Sequence, residues 1–267
     1  MKLILSRKGF DSGYGGYPSP VLPDGTLLSM PIPGGSSLKF SDIHYNGITY
    51  NSILEQLTGK KTHEDSHCHL DPDIRPKVRL CEINGWCPAF GQIDAAQTHL
   101  SNQEVGIGDI FLFFGWFKKT MYSSKGELCY EKGAPDIHII YGYMQIGKII
   151  KNEEVHRFSW HPHGEKDFIS RANNTLYLPS ENLEINGSKM KKPGYGTFSY
   201  SNKLVLTAEG MTRTRWRVPE WFNDVSISYH TKRSHKKGYF QSAYKGQEFV
   251  ISDNTNNIAW VLSLIGE

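Results

Sequence analysis

Gly108-Asp109-Ile110-Phe111-Leu112-Phe113-Phe114-Gly115-Trp116-Phe117 is the stretch that decides the fold. A Gly-Asp turn opens it, and a short unbroken apolar run comes next, which predicts a strand buried in a sheet. A polar excursion from Lys118 to Asp136 separates it from a second apolar run, Ile137 to Ile150. Gly142 and Gly147 interrupt that second strand, as bulges or barrel corners do. Upstream, Lys2-Leu3-Ile4-Leu5 reads as a short buried strand that feeds the glycine-rich loop Ser6 to Gly16. Pro18, Pro20 and Pro23 stiffen the chain after that loop, and Asp24-Gly25 marks a turn. Helices are expected at Tyr50–Leu57, started by Asn51 or Ser52, and at Gln92–Leu100. Thr175–Leu178, Lys203–Thr207 and Ile258–Ile265 are further short elements. The expectation is an α+β chain, predominantly β with a few short helices, forming a single domain over residues 1–267.

Composition bounds the function class. Of 267 residues, 38% are hydrophobic and 21% charged, as in an ordinary globular protein. A net charge of +3 does not by itself announce a nucleic-acid partner. Cys68, Cys81, Cys87 and Cys129 contain no Cys-x-x-Cys pair, so neither a zinc module nor a disulfide scaffold is expected. No apolar run approaches the roughly 20 residues that span a bilayer, so no membrane association and a cytoplasmic location are expected. The strand–loop–strand pattern with interior glycines resembles small PUA-like barrels of the ASCH and EVE type. Those barrels hold nucleic acid or a modified base in a cleft.

Candidate chemistry concentrates in Ser66-His67-Cys68-His69-Leu70-Asp71-Pro72-Asp73. In extended backbone alternate residues share a face, so His67, His69, Asp71 and Asp73 would project together. Imidazole nitrogens with carboxylate oxygens suit Zn, Fe or Mn. This makes His67, His69 and Asp71 candidate metal ligands, and a divalent metal (Fe, Mn or Zn) the candidate cofactor. Without metal, His69, Asp71 and Asp73 are candidates for general acid and base. The bland alternative is a polar loop in which both aspartates make turns around Pro72. The His-x-His pair is also found in TatD-type DNases, but no apolar strand precedes Asp65 here, and strand–helix alternation is lacking. His161 and His163, separated by Pro162, are candidates to complete a metal site begun by the first cluster. His99 and His138 read as structural.

Arg7, Lys8 and Asp11 lie among glycines, where cations and backbone N–H groups can meet a phosphate. Gln92 is an amide able to read a base edge. Arg213, Arg215, Trp216 and Arg217, and then Tyr229 to Phe240, mix cations with aromatics, the combination a strand or flipped-base binder uses. A solvated basic loop beside core aromatics is the competing reading.

Several segments together resemble the family called nucleotide modification associated domain 3. They are Leu5-Ser6-Arg7-Lys8-Gly9-Phe10-Asp11-Ser12-Gly13 with Pro18 to Gly25; His69-Leu70-Asp71-Pro72-Asp73; Phe90-Gly91-Gln92 with Ala96-Gln97-x-His99-Leu100; Gly108 to Phe117; and Trp216-Arg217-Val218-Pro219-x-Trp221-Phe222. The resemblance implies a prokaryotic or phage protein associated with systems that modify nucleotides in DNA. It carries no established reaction. It points to Arg7, Asp11, His69, Asp71, Asp73 and Gln92 as site residues.

The sequence supports two functional expectations. One is an enzyme that modifies a nucleobase or nucleotide, metal-dependent through its His/Asp cluster. Arg7, Asp11, His69, Asp71 and Asp73 would be catalytic, and Lys8, Gln92, Arg213 and Arg217 would bind the nucleotide or DNA substrate. The other is a non-catalytic PUA-like reader of modified DNA or nucleotides, whose cluster only shapes a pocket.

Overall fold

The computed structural model describes residues 1–61, 65–244 and 247–266. Among the described residues nine strands form the main sheet. In chain order they are β1 (Leu3–Arg7), β2 (Ser19–Val21), β3 (Phe90–Gln92), β4 (Ile110–Tyr122), β5 (Leu128–Tyr130), β6 (Ile137–Lys151), β7 (Thr175–Pro179), β8 (Tyr195–Thr197) and β9 (Glu248–Ile251). The architecture is mixed α+β and mostly sheet.

The two long apolar runs are its centre. β4 lies between β1, which is parallel to it, and β6, which is antiparallel. Every side chain from Ile110 to Phe114 is buried, so this strand has no solvent face and its sequence does not alternate. Asp109 fixes the entry, one carboxylate oxygen accepting from Lys2 N at 2.6 Å and the other from Gly106 N at 3.0 Å. The polar excursion is largely a hairpin, since β4 continues to Tyr122 and pairs with β5.

β6 serves two neighbours in succession. It pairs with β4 up to Gln145 and with β7 from Ile146 onward. Register shifts fall between Ile140 and Gly142 and between Ile146 and Lys148, at the two interior glycines. At Gly147 a Cβ would sit 2.5 Å from the backbone N and Cα of Ser180. Only glycine lets the strand pass that backbone and change partners.

The ordered path β9-β1-β4-β6-β7-β3 curls on itself. Its two end strands touch, since Gln92 Nε2 on β3 donates to Glu248 Oε1 on β9. Inside the curl, the Phe90 ring on β3 meets Phe111 at 4.8 Å and Phe113 at 5.2 Å, both from β4, three places along the path. A flat sheet would hold those strands apart, because neighbours are spaced by about 4.8 Å.

Helix α1 (Tyr50–Thr58) starts from Thr49, whose hydroxyl accepts from Ser52 N, two or three residues before the expected cap. It packs Ile53, Leu54 and Leu57 with Phe10, Phe40 and Cys68 into a second, smaller core. Helix α2 (Asp94–Asn102) begins two residues later than expected, which leaves Gln92 at the end of strand β3. After α3 (Lys166–Ile169), the C-terminal apolar run is helix α4 (Thr255–Ile265), capped by Asn254. No helix among the described residues is long and apolar enough to cross a membrane.

Candidate metal centre

The seam where β3 approaches β9 carries the chemistry. Next to it, Cys68–His69 pairs with Ile32–Pro33 as a two-residue strand, after which the chain bends at Pro72. The expected four-residue face is therefore not formed. His69 and Asp71 turn toward the seam. His67 is exposed and bridges Lys39 through its backbone. Asp73 pairs with Ala89 and sends its carboxylate away, to Arg79 Nη1 and to Trp86 Nε1 at 3.0 Å. The expected ligand set His67, His69 and Asp71 is corrected on the first residue, and Asp73 serves a buried ion pair.

The place expected for His67 is taken by His163. Ligand atoms of His69, Asp71 and His163 all lie within 4.8 Å of one another, the one such grouping among the described residues. His163 comes from the short 3-10 turn Pro162–Gly164, which contacts β3. Its ring lies directly over Gly91, where a Cβ would approach Cδ2 to 2.3 Å. A side chain at position 91 would push the imidazole out of the site.

Hydrogen bonds fix what these side chains present. The Asn174 amide donates through Nδ2 to His163 O at 2.8 Å and Phe168 O at 3.2 Å, so its oxygen faces the His163 ring. His163 Nδ1 lies 3.0 Å from that oxygen and must carry the proton, which leaves a lone pair on Nε2. His69 Nδ1 lies 3.4 Å from the Gly35 carbonyl, which can only accept, and so takes the same tautomer. His161 Nδ1 accepts from His163 N at 3.2 Å, so Nε2–H points at Asp71 Oδ1, 3.4 Å away. Asp71 Oδ1 also accepts from Gly91 N at 2.8 Å. Phe168 packs its ring 5.1 Å from His69 and 5.2 Å from His163, holding both imidazoles in place.

Protonation suits ligation. Burial pushes His163 down to about 3, with Asp71 only partly opposing it, and burial lowers His69 as well. Both imidazoles are neutral near pH 7, the form that binds metal. Burial by itself would raise Asp71, but His161, His163 and Lys8 outweigh it and hold the carboxyl well below the usual range. The result is two neutral imidazoles and one carboxylate converging on one point.

That point opens into a cavity of about 460 Å³ lined by Arg7, Lys8, Asp11, His69, Asp71 and Gln92, six of the residues expected from sequence, and also by His163, Phe168 and Arg171. Lys8 Nζ stands 3.0 Å from Glu248 Oε1 and 4.5 Å from the centre of the Phe90 ring, so Lys8 reaches the wall from a buried ion pair. Asp11 folds its own loop, with Oδ1 accepting from Gly13 N at 2.7 Å and Tyr14 N at 2.8 Å. Arg213 lines an adjoining cavity with Arg7, and Arg217 is exposed and lines neither. Larger clefts of about 930 and 910 Å³ lie elsewhere and hold no such ligand grouping.

The profile of nucleotide modification associated domain 3 matches residues 2–252. The chain belongs to that family. No curated protein and no solved structure matches it. In this family member the match includes every segment that lines the cavity, from Arg7 through Gln247.

Glu248, Asn174, Gly91 and Arg171 were not expected from sequence as parts of the site. Glu248 carried a signal, a charge at the head of the apolar run Phe249-Val250-Ile251. Asn174 carried none, because Asn173-Asn174 reads as a turn.

Proposed function

We propose that this protein is a metal-dependent enzyme that modifies a nucleobase or nucleotide, with His69, Asp71 and His163 holding a divalent cation. The observation that carries the reading is the convergence of two neutral imidazoles, tautomers set by Asn174 and Gly35, on a deprotonated carboxylate. Two bonds of about 2.1 Å reach across at most about 4.2 Å, so the three donors close on an ion with small shifts. Two histidines and one carboxylate leave coordination positions open, the donor set of non-haem iron sites and of hydrolytic zinc sites. Such an ion would supply Lewis acidity, or redox chemistry if it is iron.

The rest of the cavity supplies binding. Arg7, Lys8 and Arg171 place cationic groups on the wall, as recognition of a phosphate requires. Gln92 offers an amide, tethered by Glu248, beside the metal ligands. Asp11 shapes the loop that follows Arg7 and Lys8. The family's description supports a nucleotide or DNA substrate. The curled sheet supports a partly PUA-like barrel.

Elemental analysis tests the reading. Purified wild type reconstituted with Fe(II), Mn(II) or Zn(II) is expected to hold about one equivalent. His163→Ala and the His69→Ala/Asp71→Ala double variant should lose it while keeping the wild-type circular dichroism spectrum. Wild type that takes up none of the three metals would sink the metal centre. The non-catalytic reader rests on the basic hairpin at Arg215–Trp216, His235–Lys236 and Tyr239–Gln241. It requires nucleotide binding that survives the loss of all three ligands with no turnover in wild type.

A further inference from the structure

The metal cavity has an annex. A second cavity of about 190 Å³ is lined by Arg7, Asp11, Tyr14, Trp116, Arg213 and Tyr244, among others, and the first three also line the metal cavity. The two spaces are therefore neighbours, with Arg7 in the wall between them. We propose that the annex holds the phosphate and neighbouring nucleotide of a nucleic-acid strand, so that the base entering the metal cavity belongs to a polymer. This rests on the reading of the metal cavity as the place where a base or nucleotide is modified.

Charge is the first argument. Arg213 lies close enough to Arg7 to disfavour the charge on the Arg7 guanidinium, and Asp11 and then Glu248 are the carboxylates that oppose it. Arg7, Arg213 and Lys8 are set against Asp11 and Glu248, the last paired with Lys8, so one positive charge is left over, and a bridging phosphodiester balances it. Arg213 is held for that purpose. Its guanidinium stacks 4.0 Å from the centre of the Trp116 ring, and one nitrogen donates to Ser12 Oγ. Trp116 is itself fixed, its indole N–H donating to Asp136 Oδ1 at 2.8 Å. A guanidinium seated over a ring face leaves N–H groups at its edge available to an acceptor.

Rings are the second argument. Tyr14 and Tyr244 border the annex with 58% and 85% of their surface exposed. Exposed rings beside paired arginines are what unstacked bases use.

Continuity is the third. From the annex the chain runs Arg213-Thr214-Arg215, and Arg215–Trp216 pairs with Tyr239–Gln241, which pairs with His235–Lys236. Arg215 lies 5.1 Å from the centre of the Tyr239 ring, repeating the arginine-on-aromatic motif. Lys236 and Lys237 at the hairpin tip are exposed. A strand leaving the annex along this path meets cations and aromatics in alternation. A free nucleotide would use none of it.

Fluorescence anisotropy of labelled single-stranded DNA and RNA oligomers of about a dozen nucleotides, with mononucleotide as competitor, tests this on the metal-loaded protein. Expected is strand binding at least tenfold tighter than mononucleotide binding. Arg213→Gln should cost about tenfold in strand affinity and lower the salt slope by about one. Lys236→Ala/Lys237→Ala, at exposed positions, should weaken the strand while mononucleotide affinity and metal content stay at wild-type values. The DNA and RNA arms identify the polymer. Mononucleotide bound as tightly as either strand would overturn the inference and leave the metal-centre reading standing. Wild type that holds metal but binds no nucleotide or strand would overturn both.

Discussion

Asp71 and Asp73 stand two residues apart on either side of Pro72, and their surroundings share almost nothing. Asp71 accepts from Gly91 N–H, faces three imidazoles and opens on a cavity. Its carboxyl sits well below the usual range, burial being outweighed by its neighbours. Asp73 meets Arg79 and the Trp86 indole, and its Oδ1 has no hydrogen-bond partner among the described residues. There burial prevails over Arg79 and Trp86, and the carboxyl is raised. One aspartate presents its charge to a cavity. The other ties the loop from Arg75 to Ala89 back onto the run that carries the site.

The largest expected effects come from breaking that division. Arg79→Ala strips the cation from a buried carboxylate and should cost about 3–5 kcal/mol in urea unfolding, with metal content per folded molecule unchanged. Asp71→Asn keeps an oxygen for Gly91 N–H, so stability should move little while metal is lost. Loss of metal in Arg79→Ala without loss of stability would show that the two aspartates are one unit.

Next come two glycines on strands that meet the same test differently. A Cβ on Gly91 would lie 2.3 Å from the His163 ring, and one on Gly147 would lie 2.5 Å from the Ser180 backbone. Both alanine variants should destabilise by about 1–3 kcal/mol. Only Gly91→Ala should also lower metal affinity, because the imidazole is the part able to move. Equal metal affinity in the two variants would remove His163 from the ligand set.

The same contrast explains what the sequence disclosed. Gly108–Phe117 and Ile137–Ile150 announced the central strands because burial on both faces leaves a run of apolar letters with no alternation to misread. The interior glycines marked the two register shifts of β6, and Gly147 also the point where it changes partners. The elements around β3 were less legible: three residues of strand run straight into α2, and Gln92 suits either element. At the site, the His/Asp run supplied two members of the three-residue grouping, His69 and Asp71, and the four-residue face that alternation predicts did not form because the strand is only Cys68–His69 and the chain bends at Pro72. The His161-Pro162-His163 triplet could be flagged, but its seat over Gly91 depends on a curl that joins segments about 70 residues apart. Asn174 and Glu248 act through long-range pairing and left little or no local trace.

Asn174 gives a finer test of the same seat. It touches no ligand position and holds the His163 proton on Nδ1. Asn174→Ala should weaken metal affinity by about 10–100-fold. Asn174→Asp keeps an acceptor for Nδ1 but sets its second oxygen against the His163 and Phe168 carbonyls, so it should not restore the affinity. An alanine variant with wild-type affinity would mean that His163 needs no help to present Nε2.

The smallest effect separates the site's histidines from one that only builds the core. His138 is buried like His163, and burial, then Arg213 and Arg7, push it down to about 3. Its Nδ1 accepts from the Trp216 indole at 3.1 Å, and its ring packs 5.4 Å from Phe114. The unfolded chain takes up this proton near pH 6.5, its ordinary value, whereas the folded chain takes it up only near pH 3. Between those values the unfolded state holds more protons, so stability is full above about pH 6.5 and falls as pH drops, by at most about 1.4 kcal/mol per pH unit for one group. His138→Phe should reduce that slope, and Trp216 Nε1 keeps the Arg213 carbonyl at 3.2 Å as an acceptor. Metal affinity at pH 7 should not change, because His138 borders the annex and not the cavity of the three ligands. An unchanged slope would assign the acid sensitivity to the imidazoles of the metal centre, and the core histidine would then be neutral for reasons that unfolding does not reverse.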